Sequence, residues 1–134
     1  MSRRFALLVN PVAAQGKALA ALPAVTAEFD RLDSPYRVVT TRSSEHATEE
    51  ARRAVEAGET VAALGGDGLL RPIALALRGT ETAVAIIPGG RGNDFARALG
   101  IPRDPAAAAQ LAVEGEERPI DLGTLDRTPF LGLA

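Results

Sequence analysis

The sequence predicts an α/β domain in which a parallel sheet carries helices on both faces. Two observations predict it. Short apolar runs alternate with stretches of helical periodicity along the whole chain, and glycine-rich turns follow two of those runs. Strands that alternate with helices imply parallel pairing through right-handed crossovers.

Each element has its own signature. Phe5-Ala-Leu-Leu-Val9 is continuously apolar, as expected of a strand covered on both faces. A Gly16-Lys17 turn opens a helical stretch to about Leu32, with Pro23 expected to kink or restart it. Tyr36 to Thr41 is rich in β-branched residues and reads as the second strand. Ser44 offers half a capping box to a helix in which Glu49, Glu50, Arg52, Arg53 and Glu56 alternate with Ala51, Ala54 and Val55. Gly58 closes that helix. Val61 to Leu64 is the third strand, with Gly65-Gly66-Asp67-Gly68 as its exit turn. Pro72 suits the first turn of the next helix, which ends at Gly79. Val84 to Ile87 is the fourth strand, and Pro88-Gly89-Gly90-Arg91-Gly92 leads into a helix from Asn93 to Leu99. Asp104 caps an Ala-rich helix with Pro105 at its first position.

The ending is different in kind. Arg118 to Leu125, the polar turn Asp126-Arg-Thr-Pro129 and Phe130-Leu131 predict a β-hairpin-like segment. The expected fold is therefore a three-layer, Rossmann-like α/β sheet with that segment at its end. Residues 1–118 form the α/β domain, and residues 119–134 start a second, β-rich one. The strand-like Leu131-Gly-Leu-Ala134 predicts a chain that is part of something larger, and its apolar character allows a homodimer.

Composition excludes several classes of function. A net charge of −2 argues against a nucleic-acid partner, which calls for a basic face. The absence of cysteine removes disulfides, thiolate catalysis and Cys-based zinc sites, and makes a reducing cytoplasm the expected location. No apolar run approaches the roughly 20 residues of a membrane-spanning helix. Arg3 and Arg4 before an apolar run resemble a signal peptide, but Asn10-Pro11 ends that run too early.

Function is expected at the carboxyl ends of the strands, where open α/β sheets hold their ligands. Three exits there are unusual: Asn10-Pro11-Val-Ala-Ala-Gln-Gly16-Lys17, Gly65-Gly66-Asp67-Gly68, and Gly89-Gly90-Arg91-Gly92-Asn93-Asp94. Glycine lets backbone N–H groups approach an anion, and the following helix adds the positive end of its dipole. A lone turn of this kind is explained by bending alone, and Asp67, Asn93 or Asp94 could each be a helix cap. Two such turns on one edge, each with a carboxylate, point instead to a phosphate chain. The Walker pattern fails, since Ala18 follows Gly16-Lys17 and Pro11 stands at the first glycine's place. The dinucleotide fingerprint fails at Pro11, Val12 and Ala13.

The combination of Asn10-Pro11, Gly65-Gly66-Asp67-Gly68, Pro88-Gly-Gly-Arg-Gly-Asn-Asp-Phe-Ala-Arg97 and Ile120-Asp121-Leu122-Gly123 resembles the diacylglycerol kinase catalytic domain. That family includes sphingosine, ceramide and bacterial lipid kinases and is related to NAD kinases and phosphofructokinases. The resemblance implies ATP and Mg²⁺ as cofactors and a lipid hydroxyl as acceptor, met at the inner face of the membrane. It implies nucleotide-binding roles for Asn10, Pro11, Gly65, Gly66, Gly68, Gly90, Arg91, Gly92, Asn93 and Asp94. Thr41, or else Thr40, would assist them, and Asp67 would be catalytic and engage Mg-ATP.

The chain departs from the family pattern at Ala13-Ala14, usually Ser-Gly, and at Leu69 and Arg91, each usually Thr. Arg91 either compensates through its guanidinium or marks a different nucleotide or a weakened site. The family's general base, its structural metal site and most of the lipid cleft belong to the second domain. His46, the single histidine, is expected to be a solvated surface residue. Two rival readings follow: an NAD kinase-like or phosphofructokinase-like enzyme, and a nucleotide-binding module without catalysis.

Overall fold

The structure, a computed structural model, describes residues 3–89 and 94–117. Four strands, β1 (Phe5–Val9), β2 (Tyr36–Thr40), β3 (Thr60–Gly65) and β4 (Val84–Pro88), form one sheet in the order β2-β1-β3-β4. All three pairings are parallel. Among the described residues five α-helices complete it: α1 (Lys17–Arg31), α2 (Ser44–Ala57), α3 (Asp67–Leu77), α4 (Asp94–Leu99) and α5 (Pro105–Glu114). The predicted fold class stands.

Alternation along β1 and β3 divides the core into two layers. Phe5, Leu7, Val9, Ala62 and Leu64 meet Val25 and Phe29 of α1 and Ala108 and Ala109 of α5. Ala6, Leu8, Val61 and Ala63 face the other way, toward Ala47, Ala51 and Ala54 of α2 and Ile73 and Leu77 of α3. Both faces of β1 are covered, which is why all five of its residues are apolar and buried. Phe5 and Phe29 stack with ring centroids 4.7 Å apart, fixing where α1 lies across the sheet. Arg3 donates to the carbonyls of Ala112 and Gly115, both at 2.6 Å, placing a cation at the carbonyl end of α5.

Several local expectations need correction. Ser43, not Ser44, caps α2, accepting from the His46 N–H at 3.0 Å. Pro23 does not restart α1, which continues through it as one helix with Pro23 on the exposed side. Pro72 is the sixth residue of α3, not part of its first turn, because α3 already begins at Asp67. His46 is not a solvated surface group: its side chain is 14% exposed, its Nδ1 accepts from the Arg42 N–H, and its Nε2 lies 3.7 Å from Glu50. The hairpin-like segment expected from Arg118 onward lies outside the described residues.

One ionic cluster ties the β2 edge to the core. Arg37 donates from Nε to both oxygens of Glu59 at 3.1 Å and from Nη1 to Glu50 at 3.2 Å, and both carboxylates are buried. The Glu59 hydrogen bond is the main reason the guanidinium's pKa is raised. Removing one partner of a buried pair leaves the other charge stranded. Arg37→Met is therefore expected to cost about 2 kcal/mol in urea unfolding, less than the roughly 3–5 kcal/mol of a fully buried pair because Arg37 is partly exposed. An unchanged midpoint would show that water satisfies the two carboxylates equally well.

Candidate functional site

The parallel register brings the strand exits level. Val9 pairs with Thr40 on one side and Leu64 on the other, and Leu64 pairs with Ile87. The next row therefore holds Thr41, Asn10, Gly65 and Pro88. At ordinary inter-strand spacing this row spans roughly 14 Å. Strand order reverses between β1 and β3, because the chain leaves β1 for β2 on one side and returns to β3 on the other. Such a switch point opens a crevice where the two following connections diverge. Asn10 and Gly65 stand at its two sides.

Asn10 is held by its backbone and shapes the chain beyond it. Its N–H donates to Leu64 O at 3.2 Å, continuing the β1–β3 ladder past the strand. Its Oδ1 accepts from the Val12 N–H, also at 3.2 Å, an Asx turn that bends Pro11 out of the sheet. Thr41 anchors the other flank: its N–H and Oγ1 both donate to Val9 O, at 2.9 and 3.1 Å. Thr41 is buried and ties the β2 exit to β1, whereas Thr40 is exposed.

The segment of residues 65–68 is not the four-residue loop that sequence reading expects. Gly65 ends β3, Gly66 alone links strand to helix, and Asp67 and Gly68 already belong to α3. Its glycines answer different demands. A Cβ on Gly65 would meet Leu69 Cδ2 at 3.2 Å and Asn10 Cβ at 3.4 Å, so a side chain there would need Leu69 to give way by a few tenths of an ångström. At Gly66 and at Gly68 an added Cβ would meet nothing within 4 Å. Gly66 has φ −106° and ψ −167°, which other residues also adopt. The described fold requires neither glycine, which leaves the outer side of the turn open to a close approach. Asp67 is the first helical residue rather than the cap, and its carboxylate favours the N-terminal end of α3.

Leu69 is buried against Gly65 and Ile73, so the position where the family carries a hydroxyl is a packing position here. Gly90, Arg91, Gly92 and Asn93 lie outside the described residues, and for Asp94 only its backbone place at the head of α4 is described. Lys17, which sequence reading leaves without a role, opens α1 as an exposed residue with no acidic residue in that first turn. A cation there runs against the helix dipole, and this is the signal that could single it out. A cavity of about 800 Å³ lies elsewhere, at the amino edge of β4, lined by Arg3, Thr60, Thr80 and Leu111 among others. Among the described residues no group of His, Cys, Asp and Glu could by itself hold a metal.

Comparison with known proteins finds matches that together run over nearly the whole chain. The sequence profile of the diacylglycerol kinase catalytic domain matches residues 4–125. A "Probable lipid kinase YegS-like" of Pseudomonas aeruginosa (strain UCBPP-PA14) is 52% identical over 92 residues, covering 63% of this chain and 30% of that protein. A "Diacylglycerol kinase" of Staphylococcus saprophyticus is 30% identical over all of this chain and 45% of its own length. The crystal structure of a diacylglycerol kinase from Bacillus anthracis str. Sterne superposes with a TM-score of 0.72 at 30% identity, covering 89% of this chain and 46% of that one. The chain thus spans less than half the length of each of these proteins.

The turn before α1 carries strain that can be measured. Ala14 and Gln15 have φ of 54° and 60°, in the left-handed region, followed by Gly16 at 90°. Left-handed backbone costs an alanine about 1 kcal/mol or more relative to glycine. Ala14→Gly should raise stability by about 1 kcal/mol. A loss of stability on this substitution would contradict the left-handed turn.

Proposed function

Because the chain belongs to the diacylglycerol kinase catalytic domain family, we propose that it is the ATP-binding part of a lipid kinase that passes the γ-phosphate to a lipid hydroxyl. The observation that carries this reading is the β3–α3 junction. Gly66 and Gly68 leave its outer side open at the switch point, in front of a helix N-terminus, with Asp67 between them. Backbone N–H groups in the first turn of a helix have no acceptor within that helix and suit phosphate oxygens. A carboxylate in such a turn would repel phosphate by itself, and a divalent cation reconciles the two.

The residues present fit Mg-ATP on these grounds. Asp67 would hold the ion directly or through water, and the ion would neutralise charge on the transferring phosphoryl group. Phosphoryl transfer asks a protein mainly for positioning and charge stabilisation. The turns at Asn10-Pro11 and at residues 65–68 would grip the phosphate chain, and Gly90, Arg91, Gly92, Asn93 and Asp94 would close on it from the β4 side. Thr41 holds the β1 exit in place for them through Val9 O. The lipid hydroxyl would meet this edge from the membrane surface. Its general base and cleft would come from a β-rich domain beginning near residue 119.

Two outcomes test this reading. In a form of the protein that carries the acceptor domain, Asp67→Asn should lower Mg²⁺-dependent transfer from ATP to diacylglycerol by at least about 10²-fold. The fold should persist, with a far-UV circular dichroism spectrum like that of the parent. Near-normal turnover would reduce Asp67 to a dipole-stabilising residue.

The second outcome concerns the 134-residue chain by itself. General-base help and acceptor positioning are each worth about 10²-fold or more. The chain alone should therefore give no transfer above background in a radiolabelled-lipid assay. Robust transfer would place the whole active site within it.

A further inference from the structure

Gly89 follows β4, and what it must satisfy is set by α1. A Cβ built on Gly89 would lie 2.6 Å from Ala18 Cβ and 2.8 Å from Ala18 Cα. Atoms do not approach so closely, and the Cα is backbone, so no rotamer change relieves the overlap. Gly89 is therefore required for space, unlike Gly66 and Gly68. Ala18 is the second residue of α1 and is fully buried. The connection from β1 to α1 is consequently pinned at both ends, by Asn10 N–H on Leu64 O and by Ala18 on Gly89. Between the pins, Ala14, Gln15 and Gly16 are all left-handed. Non-glycine residues keep that conformation only where their surroundings impose it.

We infer that Gly89 is a positioning residue: by letting α1 seat on the β4 exit, it fixes the turn of residues 10–17 beside the β3–α3 junction, so that these two described segments face one phosphate chain. The inference rests on the nucleotide site proposed above. Gly89 acts through Ala18 and needs no contact with the ligand. Any side chain at 89 pushes the start of α1 off the sheet and moves Lys17, Gly16 and the strained turn with it. Displacements of about 1 Å in a positioning group cost up to about 10²-fold.

Calorimetric titration with Mg-ATP tests this on four proteins: the parent, Gly89→Ala, the double variant Gly89→Ala/Ala18→Gly, and Val25→Ala. Gly89→Ala should bind at least about tenfold more weakly. The double variant should recover part of that loss, because the 2.6 Å overlap between side chains disappears and only the overlap with the backbone of residue 18 remains. Val25→Ala opens a cavity under the middle of α1, so it should lose stability while keeping parental affinity. A purely structural role for Gly89 would make it behave like Val25→Ala, and that result overturns the inference. So does a double variant no better than the single one. Should Gly89→Ala fail to fold, the double variant decides: affinity intermediate between none and parental supports the inference, and parental affinity refutes it. A parent that binds no Mg-ATP removes the nucleotide reading and this inference together.

Discussion

The alignment of β1 between β2 and β3 is the constraint on which the rest depends. With Val9 opposite both Thr40 and Leu64, every strand ends at the same level, and the connections leave from a common edge. A slip of one residue in β1 would turn Phe5, Leu7 and Val9 toward α2 and Ala6 and Leu8 toward α1. Phe5 would then meet the alanines of α2 while Ala6 faced Phe29. The core therefore fixes the register, and the register fixes the candidate site. Asn10 N–H on Leu64 O and the two Thr41 bonds to Val9 O carry this alignment one residue beyond the strands.

Glycine serves two purposes along that edge. Gly65 and Gly89 let other parts of the chain come close: Leu69 and Asn10 at the first, the start of α1 at the second. Gly66 and Gly68 face open space, so their small size is of no use to the described fold and is available to a ligand. The same edge thus combines rigid seats with unobstructed backbone, which is what binding a phosphate chain without side-chain reorganisation calls for. The absence of hydroxyls at Ala13, Ala14 and Leu69 is consistent with recognition that leans on backbone N–H groups, with Leu69 contributing to the core instead.

Much of this was legible in the residues. Continuous apolarity at Phe5 to Val9 identified a strand buried on both faces, and the β/α alternation identified the parallel sheet. The three unusual exits pointed to the carboxyl edge, and the register brings the ends of their strands level. Other features depend on tertiary packing that leaves no local trace. Gly89 looks like any other glycine of its run until Ala18 is placed beside it. His46 reads as a surface residue on an acidic helix, but the turn at Arg42 folds over it. Asp67-Gly68 reads as loop because glycine disfavours helices, yet β3 turns into α3 through Gly66 alone. Ser43 and Ser44 are equivalent by composition, and only the path of the chain after Thr41 decides which one caps α2.

The central claim is that the carboxyl edge at the β1–β3 switch point receives Mg-ATP, and not the cavity at the amino edge of β4. Amide-resolved NMR titration of the chain with Mg-ATP tests this most directly. The account predicts saturable shifts at residues 10–17, 65–68 and 89–94, with Arg3, Thr60 and Leu111 unmoved. Shifts confined to Arg3, Thr60, Thr80 and Leu111 would contradict it.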